Sequence, residues 1–191
     1  MAGMTRIGII LGSTRPGRKG EQVASWVQEV AGRRDDAEFE LVDLADFPLP
    51  AYDEPIPPMA GRYAHDHTQR WARRVGSLDG FVMITPEYNH STTAVLKNAL
   101  DYVFAEWNNK AVGFVSYGAH GGVRAVEHLR AIAGELMLAD VRAQVVISLY
   151  SDFRDRSTFE PKPQHEATLH TMLDQVIAWT DALAPFRAGA S

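Results

Sequence analysis

Four short runs, Ile7–Leu11, Phe81–Thr85, Ala111–Ser116 and Val145–Leu149, are apolar and rich in Val and Ile, with no polar residue alternating through them. A strand wetted on one face alternates. A strand that stays apolar at every position needs cover on both faces, the pattern of a parallel sheet between two helical layers. Phe39-Glu40-Leu41-Val42 does alternate and reads as a strand nearer an edge. Between these runs, apolar residues recur at helical spacing: Val23, Val27 and Val30; Leu96, Leu100 and Val103; Val126, Leu129, Ala133 and Leu136; Leu169, Met172, Leu173, Val176, Ile177 and Leu183. Strand and helix in turn predict an α/β, doubly wound, three-layer fold with five parallel strands. The strand order 2-1-3-4-5 satisfies the pattern, and periodicity alone admits other doubly wound orders.

A length of 191 residues suits one domain, expected to span residues 1–191. The net charge of −5 argues against a nucleic-acid partner, so any anion site must be local. Cysteine is absent, which removes disulfides, thiolate nucleophiles and cysteine-bound metal clusters. No apolar stretch approaches the length of a membrane span, and Met1–Arg6 is too short and polar for a signal peptide, so a cytoplasmic protein is expected. Five of the ten prolines fall between Asp46 and Met59, which reads as an extended surface connection, either a stiff linker or a wall over a ligand or partner.

In doubly wound sheets, ligands bind outside the carboxyl ends of the strands where the strand order reverses. The loops there are the chain's most unusual stretches. The first strand ends in Gly12-Ser13-Thr14-Arg15-Pro16-Gly17-Arg18-Lys19-Gly20, after which a helix opens near Glu21. Loop N–H groups, two hydroxyls, two arginines and a helix start around one point favour a phosphate. The spacing matches neither the P-loop nor the dinucleotide fingerprint, and a cysteine phosphatase cradle would lack its nucleophile. The third strand ends in Thr85-Pro86-Glu87-Tyr88-Asn89-His90, with Ser91 positioned to cap the next helix. The fourth ends in Ser116-Tyr117-Gly118-Ala119-His120-Gly121-Gly122, whose glycines let backbone amides approach a flat ligand.

The segments GSTRPGRKGEQVASWV, TPEYNHSTTAVLKNALDYVFAEW and SYGAHGGVRAVEHLR resemble the NAD(P)H-dependent FMN reductase family, which includes flavodoxin-like quinone, chromate and azo-dye reductases. The resemblance implies a flavodoxin-like fold, bound FMN and NAD(P)H as co-substrate. It places Ser13, Arg15, Arg18, Gly20 and the helix start at Glu21–Gln22 on the phosphate. Pro86, Glu87, Tyr88 and Asn89 then lie on one side of the isoalloxazine, and Ser116, Tyr117, Gly118, Gly121 and Gly122 at its pyrimidine edge. The chain departs from many relatives at Gly20-Glu21-Gln22, where they carry Ser-Phe-Asn or a similar pair, and there the backbone N–H of Glu21 is the expected donor. Such chemistry resides in the cofactor, so no general acid or base is assigned. The second reading, an FMN electron carrier or redox-dependent binding module without turnover, is disfavoured by the lack of long acidic runs.

His65-Asp66-His67 offers ligands on different helix faces and no third at a defined spacing, so no metal is expected. Arg70, Arg73 and Arg74 read as a solvated helix face. A helix from Thr92 to Trp107 would be apolar over a wide arc, with Val95, Tyr102 and Phe104 beyond the stripe facing the sheet. Those residues predict a homodimer through this helix, or a homotetramer built on it. A nicotinamide cofactor and a small electron acceptor are the other expected partners.

Overall fold

A computed structural model describes residues 4–188, so Met1–Gly3 of the stretch read as too short for a signal peptide lie outside the described residues. The chain runs β1 (Arg6–Leu11), α1 (Gly20–Ala31), β2 (Glu38–Asp43), α2 (Asp66–Gly76), β3 (Gly80–Pro86), α3 (Ala94–Asp101), β4 (Lys110–Gly118), α4 (Val123–Glu135), β5 (Leu138–Ser148), a small hairpin of β6 (Phe153–Arg154) and β7 (Thr158–Phe159), and α5 (Pro163–Ala188). The main sheet is parallel throughout in the order β2-β1-β3-β4-β5. This is the flavodoxin-like order.

The pleat sorts the core into two halves. Ile7, Ile9, Leu11, Val82, Ile84 and Val115 point towards α1 and α5. Ile10, Phe81, Met83, Val112 and Phe114 point the other way, towards α2, α3 and α4. Every residue of β3 and β4 is buried, which is why these strands carry no polar alternation. Two tryptophans fill the second half and keep their indole N–H groups bonded: Trp71 donates to Ala99 O at 2.8 Å and Trp107 to Leu100 O at 3.2 Å.

The helix expected from Thr92 to Trp107 is shorter than its pattern. It spans Ala94–Asp101, and its cap is Thr93 in place of Ser91: the Thr93 hydroxyl accepts from Leu96 N–H at 3.1 Å and donates to Gly12 O at 2.5 Å. The chain turns after Asp101, which carries Tyr102 into the interior, fully buried. Its hydroxyl donates to Pro50 O at 3.1 Å and to Asp53 at 2.9 Å. Burial, and then the Asp53 carboxylate, push this phenol up to about 12. The cover that the wide apolar arc demanded is thus supplied by the chain's own proline-rich segment, which corrects Tyr102 as an interface residue. Val95, half exposed, is what remains of that face.

Around this strap, Glu54 holds the chain entering α2 by accepting from Ala64 and His65 N–H at 2.7 and 3.1 Å. His65 and His67 stack 5.1 Å apart, with His67 bonded to Asp53 at 3.0 Å. Arg70 lies over the Phe47 ring and Arg74 pairs with Glu40.

Removing the Tyr102 hydroxyl isolates the strap's anchoring. Tyr102→Phe should lower unfolding stability by about 1 kcal/mol through the lost bonds to the Pro50 and Ala51 carbonyls. Limited proteolysis should quicken within residues 47–63 while the native mass stays that of the wild type. A change in native mass would return Tyr102 to an interface.

Candidate functional site

β1, β3 and β4 end side by side at the carboxyl edge, and their loops surround one crevice. The first loop is braced from beneath. Gly12 N–H donates to Ile84 O at 2.8 Å, continuing the ladder one residue past β1. Ser13 is buried, and its hydroxyl shares a 3.1 Å hydrogen bond with the Tyr88 hydroxyl, so the first and third loops touch. Tyr117, rising from β4, lodges its ring under the same loop against Gly20 and Ser13, and burial raises its phenol well above the ordinary tyrosine range.

The two arginines of the loop do different work. Arg18, expected on the phosphate, has its fork committed: Nη1 and Nη2 donate to the two Asp43 carboxylate oxygens at 2.8 and 2.5 Å, Nη1 also reaches Ser13 O, and Nε donates to Glu21 at 3.0 Å. A bidentate pair with a side chain at the end of β2 ties the loop to the neighbouring strand and leaves that guanidinium little to offer a ligand. Arg15 is exposed and makes no ion pair among the described residues, and its charge acts on the Tyr117 phenol. The backbone N–H groups of Ser13, Thr14 and Arg15 meet no acceptor among the described residues. The Gln22 side chain is committed as well, donating to Ser157 O and accepting from Phe159 N–H, both at 2.8 Å.

The third loop is a tight hairpin. Tyr88 and Ser91 exchange backbone hydrogen bonds at 2.9 and 3.1 Å, with Asn89 and His90 both in the left-handed region, φ 48° and 75°. That geometry is a type I′ turn, which Asn tolerates and His adopts at a cost. Pro86, buried, pairs with Tyr117 at the end of β3. Glu87 turns inward: one carboxylate oxygen pairs with Arg124, and its backbone N–H donates to Tyr117 O at 3.1 Å. Burial raises the Glu87 carboxyl, and the hydrogen bonds and charge of Arg124 more than reverse this, holding it below the ordinary carboxylate value. Gly122 offers α4 no side-chain cap, and the Glu87–Arg124 pair ties the first turn of that helix to the end of β3.

The fourth loop depends on two successive left-handed glycines, Gly121 and Gly122, with φ 72° and 74°. A Cβ on Gly122 would lie 2.9 Å from Tyr117 N, and one on Gly121 would lie 2.2 Å from Val146. Both positions therefore exclude side chains, and the loop closes flat onto β4. Ser116, expected at a ligand edge, is fully buried and works from inside, donating to Gly121 O at 2.7 Å and accepting from Gln144 at 3.1 Å. Gly118 accepts from Gly121 and Leu149 N–H at 3.1 and 3.0 Å.

The structure thus brings the three loops together and divides their residues. Arg18, Gly20, Gln22, Ser116, Tyr117 and one Glu87 oxygen hold the loops. Arg15, the free loop N–H groups, Tyr88 and Asn89 face outward. Of the four buried side-chain atoms without a hydrogen-bond partner among the described residues, two lie at this crevice, Glu87 Oε2 and Arg124 Nε. An acceptor without a donor, beside a cluster of donors without acceptors, fits a ligand with an anionic tail and a ring bearing an N–H. Sequence reasoning missed Asp43, Arg124, Thr93 and Gln144. Asp43 ends an alternating strand and looks like solvent-facing punctuation, and only the parallel pairing of β1 with β2 brings it to Arg18. Beside Thr14, a cavity of about 290 Å³ opens between Phe47 and Leu49 on one side and Val95 and Asn98 on the other.

Residues 5–152 match the family model of NADPH-dependent FMN reductase. An NAD(P)H-dependent FMN reductase of Schizosaccharomyces pombe is 40% identical over 149 residues, covering 77% of this chain and 74% of the relative. A 2-hydroxy-1,4-benzoquinone reductase of a Burkholderia species is 27% identical, covering 91% of this chain and 95% of the relative. In backbone shape, the flavoenzyme NAD(P)H:(acceptor) oxidoreductase FerB of Paracoccus denitrificans superposes with a TM-score of 0.69 over 93% of this chain and 98% of its own, at 20% identity.

The Glu87–Arg124 pair has a pH signature. A carboxyl held below its unfolded value contributes stability that is present above about pH 4.5 and is lost as the pH falls through the folded value. Arg124→Met leaves a buried carboxylate uncompensated and should cost about 3 kcal/mol at pH 7. Because burial alone raises the Glu87 carboxyl, that deficit should shrink as the pH falls and Glu87 takes up a proton, so the variant loses less stability on the acid side than the wild type does. Superimposable stability-versus-pH curves would show that the pair contributes nothing.

Proposed function

Since this chain belongs to the NADPH-dependent FMN reductase family, we propose that its three strand-end loops hold the FMN with which it oxidises NAD(P)H, and that the electrons pass to a quinone-class acceptor. FMN, when bound, would supply the hydride and electron transfer between the nicotinamide and the acceptor. The protein's part is to bind, orient and exclude.

The observation that carries the placement is the contrast between the two arginines. Arg15 is free at the mouth of a loop whose N–H groups have no acceptors, whereas Arg18 is locked to Asp43. Arg15 and the Ser13–Arg15 N–H groups would take the phosphate. Arg18 would act behind them, holding Ser13 O and the loop's curvature. Glu87 Oε2 is the buried acceptor for an imide N–H of the ring. The backbone of Gly121 and Gly122 would lie along the pyrimidine edge, where N–H groups stabilise negative charge. Tyr88 and Asn89 would border the face that admits the reductant and the acceptor. A quinone is favoured because this cradle supplies no general acid or base of its own, and quinone reduction asks only for a hydride and protons from solvent.

Homodimerisation remains part of the reading on a narrower basis. With Tyr102 covered, exposed Val95, Tyr52 and Met59 beside the crevice are the apolar residues a second copy would bury. We place the protein in the cytoplasm on its acidic, cysteine-free composition. No helix among the described residues is long and apolar enough to cross a membrane.

Arg15→Ala tests the cradle. A charge-assisted grip on phosphate is worth roughly 1.5–3 kcal/mol, so FMN should bind about ten- to a hundredfold more weakly while riboflavin, lacking the phosphate, is barely affected. Fluorescence titration of the apoprotein reads both. Equal losses for the two ligands would move the phosphate away from this loop.

A further inference from the structure

The hairpin of β6 and β7 has no part in the crevice described so far, yet it is fixed beside it. Gln22, in the first turn of α1, clamps its far strand through Ser157 O and Phe159 N–H. Phe159 packs edge-on against Trp26, and Lys19, at the α1 N-terminus, lies 5.9 Å above the Phe153 ring. At the near end, Leu149 N–H donates to Gly118 O at 3.0 Å, so the segment leading into the hairpin is joined to the fourth loop. The hairpin therefore bridges the two loops that would hold the phosphate and the pyrimidine edge.

Its charges are mostly satisfied. Arg154 pairs with Glu160 at 3.0 Å, and Lys162 pairs with the buried Asp152 at 2.7 Å. Asp152 also accepts from Ser148 N–H at 2.7 Å, which pins the turn after β5. Arg156 is different. Like its neighbour Asp155 it makes no ion pair among the described residues, but its guanidinium lies 5.2 Å over the ring of Tyr150, which is 64% exposed. Asp155 and Arg156 are both left-handed, with φ 50° and 54°, a conformation L residues seldom adopt without a reason. An exposed aromatic ring beside a guanidinium, on a segment tied to both loops, offers a stacking platform paired with a phosphate fork.

We propose that Tyr150 and Arg156 form the subsite for the adenosine end of the reductant, with Tyr150 stacking on the adenine and Arg156 gripping the ribose 2′-phosphate, so that the chain prefers the phosphorylated nicotinamide cofactor. This inference rests on the oxidation of NAD(P)H at the three-loop crevice. It adds the site that distinguishes NADPH from NADH, a distinction no residue of the crevice makes: Arg18 is spent on Asp43, and Arg15 is assigned to the FMN phosphate.

The test uses the FMN-loaded protein and two probes that bypass turnover, adenosine 2′,5′-bisphosphate and 5′-ADP, titrated by calorimetry. The wild type should bind the 2′-phosphorylated probe about tenfold or more tightly than 5′-ADP. Arg156→Ala should abolish that preference, and the ratio of kcat/KM for NADPH over NADH should fall by about the same factor. Tyr150→Ala should weaken both probes together and leave their ratio in place, because it removes the stack and not the fork. Flavin absorbance and retention report that each variant is folded and loaded. An unchanged probe ratio in Arg156→Ala, or equal losses for both probes, overturns the assignment. A wild type that oxidises neither nucleotide would instead overturn the oxidoreductase reading, while the probe titrations would still decide whether the subsite exists.

Discussion

The crevice exists because β1 lies between β2 and β3, so the chain leaves β1 towards one helical layer and β3 towards the other. Two loops that diverge must leave a gap, and an unsupported gap would collapse or fill. Here its floor is closed by backbone and one hydroxyl. Gly12 N–H continues the ladder to Ile84 O, and the Thr93 hydroxyl, already capping α3, donates back to Gly12 O. One threonine thus joins the first loop, the third strand and the helix after it, and the remaining loop contacts are arranged around that junction.

Much of this was legible in the sequence, and what was not has a common cause. The strands announced themselves because burial on two faces forbids polar residues, a constraint each strand carries within itself. The three loops were legible because Gly, Pro and hydroxyl residues at strand ends leave few conformations open. The end of α3 was not: Val103, Phe104 and Trp107 continue the apolar pattern past Asp101 while the backbone turns away, because periodicity records burial and not the conformation that achieves it. The 153–159 hairpin, with two residues per strand, is too short to show a period at all. Side-chain roles failed where they depend on partners distant in sequence. Arg18 resembles a phosphate ligand until Asp43, 25 residues on, is brought beside it. Nothing near Glu87 in the sequence signals that Arg124, 37 residues on, takes one of its oxygens.

Those two reassignments share a logic. In a protein of net charge −5, a free cation in the crevice competes with a surplus of carboxylates, and the most buried guanidinium of the first loop is captured by one. The capture is useful, since a loop that presents N–H groups to an anion repels itself electrostatically and needs an internal tie. Arg18 provides that tie by bonding Ser13 O from below while Asp43 holds its far side. The ligand-facing surface is then left to groups that cost little to hold in place, namely backbone N–H groups and the exposed Arg15. Such a surface recognises an anion by geometry before charge, so the loop's curvature should matter as much as its cation.

The same division of labour explains why the fourth loop tolerates so few side chains. Ser116 and Gln144 hold it from inside, Glu87 pairs with Arg124 at the start of the helix that follows, and two left-handed glycines bring its backbone within contact of β4. The exposed side chains in it are the short Ala119 and His120, whose Nδ1 lies 3.4 Å from Arg124. A flat loop with fixed N–H groups can adjust the electron affinity of a ring without touching its reactive face. Tyr88 and Asn89 are the exposed side chains of the neighbouring hairpin, whose second central residue, His90, holds its left-handed backbone at a cost. Most side chains of these loops are thus engaged in holding one another, and what the crevice presents is made chiefly of backbone.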